Sequence, residues 1–231
     1  MLKSGRENIV FLGTELFAPG NFNFLLLAAV VTIELSLIAI AAGSIIGLIF
    51  GLIRTVQSRI LIVPKIIVIF YVESFRRVPL LVLILLSFFA IAVSGFEVSA
   101  FFVGSIAISI YAGAYMTENI RAGIEAIRPQ QWDAAKALGM TVFQQLYYII
   151  FPQAMRIIIP PSTGFFLGLI KDTSLISVIE VVEITYAAHI IRYKTAESFS
   201  VFAAAFFLYF VICYPLSKLG SYLERRLRVH D

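Results

Sequence analysis

The sequence predicts an all-α integral membrane protein of about five transmembrane helices, and two observations carry that expectation. Hydrophobic residues make up 60% of the 231 residues and charged residues only 14%, with a mean hydropathy of +0.95. Soluble domains run at about 45–50% apolar and about 25% charged. Apolar stretches of the roughly 20 residues that a helix needs to cross hydrocarbon recur along the chain. The same figures exclude intrinsic disorder. A lone cysteine, Cys213, permits no intrachain disulfide, and no Cys/His grouping has metal-ligand spacing. The net charge of +4 reads as a topology signal, not as a nucleic-acid patch.

Taken in order, the spans fall at about 22–53, 60–94, 98–127, 142–171 and 198–224. The first contains Glu34, and the fourth is interrupted by Arg156 and by Pro160-Pro161. Residues 1–20 carry Lys3, Arg6, Glu7 and Glu15 without the apolar core of a cleavable signal, which predicts an outer or interfacial segment. Residues 21–226 then form one membrane domain, with a loop at 128–149 and an outer amphipathic segment at 172–197 that lies at the surface or dips into the bundle. Lys and Arg in short loops set orientation. Arg54, Arg59 and Lys65, then Arg128 and Lys136, then Arg225, Arg226 and Arg228 share one side if five spans alternate. That side is expected to be cytoplasmic, with the N-terminus outside and the C-terminus inside.

The 128–149 loop is too long for a plain connection. Pro129 suits a first helical turn, Ala134, Ala135, Ala137 and Leu138 favour helix, and Gly139 is placed for a left-handed cap. A short cytoplasmic helix with a face of small side chains is expected. Trp132, the only tryptophan, anchors either a protein interface there or the membrane surface.

This loop resembles the EAA loop of bacterial ABC importer permeases: Glu-Ala-Ala, three residues, Gly, nine residues, Ile-x-Leu-Pro. Asp133-Ala134-Ala135, Gly139 and Ile149-Ile150-Phe151-Pro152 keep every spacing, with Asp for Glu and Phe for Leu. The polar amino-acid uptake family (histidine, glutamine and arginine permeases) is similar in four further blocks. They are Tyr71-Val72-Glu73 through Arg76 to Pro79-Leu80-Leu81, and Tyr115, Glu118 and Arg121 through Gly123-Ile124. Pro152-Gln153-Ala154 with Arg156, and Lys171-Asp172-Thr173-Ser174-Leu175, complete the set. Departures occur at Pro129-Gln130-Gln131 and Ser162-Thr163-Gly164.

The resemblance implies a type I importer transmembrane domain. Two permease chains, identical or paralogous, would form the path above two ATP-binding subunits, with an extracytoplasmic amino-acid-binding protein outside. In such an assembly the loop helix, through Trp132, Asp133, Ala134, Ala135 and Gly139, docks on the ATP-binding subunit and transmits its closure. No phosphate-cradling Gly-x-x-x-x-Gly-Lys-Ser/Thr exists in the chain. The resemblance therefore places ATP and Mg in the partner, implies no cofactor in this chain, and describes a transporter subunit, not an enzyme.

Charged residues inside spans cost about 2.5–3.5 kcal/mol at a helix centre, so those present invite a role. Glu73 with Arg76, and Glu118 with Arg121, are each three apart and predict intramembrane ion pairs. They either brace the bundle or touch substrate. Glu34 faces the permease interface or the path. Pro160 and Pro161 predict a broken helix followed by Ser162 and Thr163, and broken helices often carry substrate contacts. Lys171, Asp172, Thr173 and Ser174 offer a cation, an anion and two hydroxyls for a zwitterion. The other reading is an interfacial ion pair with capping by Asp172 or Ser174. Glu180 and Glu183 are expected on one face of an amphipathic helix, and His189 and His230 in flanking segments. The competing function is an ATP-independent secondary transporter or channel, with a non-transporting scaffold a third.

Overall fold

The structure is a computed structural model that describes residues 18–56 and 59–227. Most of the expected N-terminal segment, Arg228 and His230 lie outside the described residues. All regular elements among the described residues are helical. The α-helices are α1 (Pro19–Thr55), α2 (Ile62–Arg77), α3 (Leu80–Ser94), α4 (Ala100–Glu125), α5 (Pro129–Ala137), α6 (Val142–Gln144), α7 (Phe151–Asp172), α8 (Ile184–Thr195) and α9 (Ser198–Leu227). A π-helical turn, Gln145–Ile150, joins α6 to α7, and a 3-10 segment, Thr173–Ile179, succeeds α7.

Four helical stretches among the described residues are long and apolar enough to cross a membrane, and a fifth counts if α2 and α3 are taken together. That pair corrects the second expected span. Residues 60–94 are not one straight rod, because α2 and α3 meet at 109°. Pro79 is the cause: it drives Val78 into extended backbone (ψ 135°), since the proline ring disfavours the helical region for the preceding residue.

The most extensive pairing joins α1 to α4. Gly43, Gly47 and Gly51 recur every fourth residue along α1 and oppose Ala112, Met116 and Ile120, which repeat at the same spacing on α4. A Cβ on Gly43 would stand 2.5 Å from the Ala112 Cβ, and one on Gly51 2.7 Å from the Ile120 Cγ2. Without a hydrophobic drive in lipid, close backbone approach of this kind is what holds spans together. On α4, the Ser99 side chain caps the first turn by accepting from the Phe102 N–H.

Three apolar clusters line the bundle. Leu35, Ile84, Ile108 and Leu169 join α1, α3, α4 and α7 at its centre. Leu25, Ala28, Ile184, Ala188 and Val201 join α1, α8 and α9. Ile120, Ile124, Ile150 and Ile158 join α4 to α7 beside α5.

Two expectations about α7 and its sequel do not hold. Pro160 and Pro161 lie inside α7, which runs unbroken to Asp172. Proline's fixed φ is compatible with helix; what is lost is two N–H donors. The 172–197 segment dips into the bundle, one of its two expected placements, with Thr173, Ile176, Ile179, Glu183 and Ile191 all buried. Glu180 is exposed and Glu183 fully buried, so they share no face. Glu180 adopts φ 64° and ends the 3-10 segment, which breaks the helical period between them.

Candidate functional site

Helix α5 begins with Pro129 at its first turn. It ends in a Schellman cap, in which Gly139 N–H donates to the Lys136 carbonyl (2.9 Å) and Met140 N–H to the Ala135 carbonyl (3.2 Å). Gly139 has φ +71°, a conformation that costs a residue with a Cβ roughly 1–2 kcal/mol. Ala135 is buried at 1% exposure, while Asp133 and Ala134 face outward. Asp133 makes only a 3.8 Å contact to Lys136. Trp132 packs inward against the cluster of Ile124, Ile127 and Ile150. It thereby ties α5 to the bundle.

Beyond α5 the chain starts a new helical stretch. Thr141 and Gln144 form a reciprocal capping box that starts α6. The buried Gln145 donates to the Met140 carbonyl (2.7 Å), and Gln153 donates to Gln131 on α5 (3.1 Å). A cavity of about 400 Å³ lies between α5, α6 and the ends of α1 and α4, lined among others by Thr55, Glu125, Trp132 and Lys136.

The C-terminal ends of α1, α2 and α4 bring the intramembrane charges together. Glu118 and Arg121 are in contact, at 2.5 Å between Oε1 and Nη2. Arg54, at the end of α1, reaches Glu118 at 2.6 Å; sequence spacing could not reveal it, since 64 residues separate them. Arg121 also pairs with Glu125. Glu73 and Arg76 do not pair, which corrects the expected i,i+3 bridge. Glu73 pairs with Arg77, one position further on the exposed face of α2. Arg76 turns inward, 5.2 Å from the Tyr115 ring centroid and 3.9 Å from Glu118.

Along α7, Ile157, Pro161, Gly164, Gly168 and Lys171 fall on one face by helical spacing. Open space surrounds Gly164 and Gly168. Pro160 and Pro161 leave the carbonyls of Arg156 and Ile157 without their helical donors. Ser162 and Thr163 do not reach into that space: their hydroxyls donate to the carbonyls of Ile158 (2.7 Å) and Pro160 (2.8 Å). Thr163 also packs against Gly220 on α9. Lys171 is exposed, Asp172 half-buried and Thr173 buried. Neither Asp172 nor Ser174 caps a helix; the Asp172 side chain makes no cap bond because the chain continues directly into the 3-10 segment. The Thr173 hydroxyl donates to the Ile170 carbonyl (2.6 Å), and the Ser174 carbonyl accepts from the Ser177 hydroxyl (2.6 Å). Beside this face, Phe165 stacks on Tyr115 with centroids 5.0 Å apart, and Tyr115 lies 4.7 Å from Tyr111.

Two acidic residues stand apart. Glu34 is exposed halfway along α1. Glu183 begins α8: it accepts from the Tyr186 N–H (2.7 Å) and from the Tyr209 hydroxyl on α9 (2.7 Å). Burial pushes its carboxyl up, against the hydrogen bonds that favour the charged form. No grouping of metal-ligating side chains occurs among the described residues.

Comparison with known proteins places this arrangement. The family model for the binding-protein-dependent transport system inner membrane component matches residues 43–229. The L-cystine transport system permease protein TcyB of Bacillus subtilis is 36% identical over 197 residues, 85% of this chain and 83% of that protein. The Bacillus subtilis protein named probable glutamine ABC transporter permease protein GlnP is 32% identical over 213 residues, 91% and 96% of the two chains. A crystal structure of an amino acid ABC transporter with histidines matches with a TM-score of 0.82 at 33% identity, covering 94% of this chain and 98% of that one. The fold is shared with the MetNI methionine ABC transporter in an inward-facing form, at a TM-score of 0.74 and 15% identity. The chain belongs to the family of binding-protein-dependent transport system inner membrane components, the multi-pass inner-membrane permeases of ABC importers.

Proposed function

We propose that this chain is the membrane-spanning subunit of an ATP-driven importer of polar amino acids, coupled to a partner ATPase through α5. The observation that carries the reading is α5 itself: a capped helix presenting Asp133 and Ala134 outward while Trp132 and Ala135 lock it to the bundle. Relatives named for glutamine and cystine transport support the substrate class. Arg54, Arg128, Lys136, Arg225 and Arg226 support a cytoplasmic position for the α5 end, with the N-terminus outside.

A push on α5 from a closing ATP-binding subunit travels into the bundle by short routes. Gln131–Gln153 bonds α5 to α7 directly, and Trp132 packs beside Ile150, where the π-turn enters α7. Helix α7 carries the open glycine face and the two freed carbonyls, so movement of α5 repositions the surface that we assign to the path. Lys171 and Asp172 stand at its outer end, where a zwitterion's carboxylate and ammonium each find an opposite charge. ATP and Mg belong to the partner, a second permease chain completes the path, and an extracytoplasmic binding protein delivers the solute. Surrounding lipid covers the outward apolar faces.

The test is to block docking without disturbing the fold. Ala134→Arg adds bulk on an exposed helical position, and Gly139→Trp adds bulk and strain at the cap. Both variants are expected to insert at normal levels, to lose the co-purifying ATP-binding subunit and to cut ATP-driven uptake in proteoliposomes at least tenfold. Uptake at the parental rate with an ion gradient in place of ATP would instead establish a secondary transporter.

A further inference from the structure

We infer that Arg76 and Tyr115 form a second, inner station for the transported amino acid, binding its α-carboxylate after it leaves Lys171 and Asp172. The inference rests on the importer reading and adds a site to it.

Arg76 is the uncommitted cation of its cluster. Glu118, its nearest carboxylate, already accepts three hydrogen bonds from other arginines: Oε2 from Arg54 (2.6 Å) and Arg121 Nε (3.0 Å), and Oε1 from Arg121 Nη2 (2.5 Å). The 3.9 Å contact to Arg76 is too long for a hydrogen bond. Arg76 Nε is buried without a partner, although a guanidinium carries five N–H donors in a fork that matches a carboxylate. Glu73 is taken by Arg77, and Glu125 by Arg121. In the cluster of Arg54, Arg76, Arg77 and Arg121 against Glu73, Glu118 and Glu125, one positive charge is in surplus, and geometry assigns it to Arg76.

That guanidinium lines a cavity of about 240 Å³ with Glu73, Arg77 and Tyr115. Tyr115 holds it from one side through the ring and donates its hydroxyl to the Arg76 carbonyl (3.4 Å). The cavity is joined to the α7 face by the stacked rings of Tyr115 and Phe165. Phe165 precedes Asp172 by seven residues, about 10 Å along a helix. An amino acid released from Lys171–Asp172 therefore meets an aromatic wall and then a guanidinium whose Nε–H has no hydrogen-bond partner. Carboxylate recognition comes from the charge and from the unpartnered Arg76 Nε–H.

The test uses the purified permease–ATPase complex in nanodiscs, without binding protein. The twenty amino acids are screened for thermal stabilisation, and each that stabilises is compared with its α-carboxamide. The expected result is that at least one stabilises the parent, that its carboxamide does not at tenfold higher concentration, and that Arg76→Gln loses the response. Arg76→Lys, which keeps the charge without the fork, should retain part of it. Uptake supplied by loaded binding protein should fall at least tenfold in Arg76→Gln. Equal binding of the carboxamide, no binding by any of the twenty, or parental binding by Arg76→Gln would overturn the station. So would a deficit that appears only when the nanodiscs contain phosphatidylglycerol, which would assign the cavity to a lipid headgroup. The carboxamide comparison holds even if Arg76→Gln fails to assemble. Parental ATP-driven uptake alongside any of these results removes the station and leaves the importer reading intact, whereas no ATP-driven uptake by the parent removes that reading.

Discussion

Glu118 is the residue on which three helix ends converge. It accepts from Arg54 of α1 and Arg121 of α4, and Arg76 of α2 hangs beside it. Hydrogen bonds to charged groups contribute about 1.5–3 kcal/mol each. Glu118→Ala removes the acceptor and leaves two arginines facing each other, so it is expected to destabilise by about 3 kcal/mol or more. Thermal unfolding in mild detergent would measure it, and a loss below about 1 kcal/mol would show that the cluster does not brace the bundle. Sequence spacing exposed half of this site. Residues three apart on one helix are neighbours whatever the fold, so Glu118–Arg121 could be read directly. Arg54 could not, because its approach depends on how α1 crosses α4. Glu73 chose Arg77 over Arg76 for a tertiary reason also: Arg76 turns toward the Tyr115 ring and Glu118 on α4. Glu183 is the opposite case, a buried acid whose partners, Tyr186 and Tyr209, only the packed structure brings together.

At the scale of elements, the legible helices were those whose signals are local. Pro129 and Gly139 bracket α5 as proline and glycine ought to, and the cap bonds at Gly139 are those its position demands. The π-turn has no local signal. It inserts wider backbone geometry between α6 and α7, and such turns arise from what the next helix must face. The adjacent prolines misled for a related reason: removing two donors weakens a helix, yet packing of Ala154, Ile158 and Ser162 keeps α7 continuous. The α1–α4 pairing makes a sharper prediction. Gly47 faces Met116 so closely that a Cβ alone would collide with the Met116 Cβ. Overpacking costs typically 1–3 kcal/mol, and here both colliding partners lie on long helices that shift only together. Gly47→Leu is expected to lower the unfolding midpoint markedly and to abolish uptake. Gly20→Leu, at a position with open space, should do neither.

For the whole molecule, the four to five apolar helical stretches were legible from hydropathy, while 172–197 was left between the outer surface and the bundle. Its composition suits an interface, yet Glu183 and the alanines of α8 are drawn into the bundle by α1 and α9. Sidedness belongs to this scale and can be checked directly. In a Cys213→Ser background, a single cysteine at Ser94 should react with a membrane-impermeant maleimide on intact cells. One at Ala137 should react only after the cells are opened. The reverse pattern would invert the topology proposed from the basic loops.

The length of α1 has a mechanical meaning. Thirty-seven residues at 1.5 Å each make a rod of about 55 Å, against a hydrocarbon layer of about 30 Å. One end is pinned by Arg54 to Glu118, and the far half is wedged against α8 and α9 through Leu25, Ala28 and Ala29. A rod longer than that layer tilts or carries its ends beyond it, and its packing against α4, α8 and α9 sets which. Any tilt that α1 takes is therefore passed to α4 and α8 together, through a single strut.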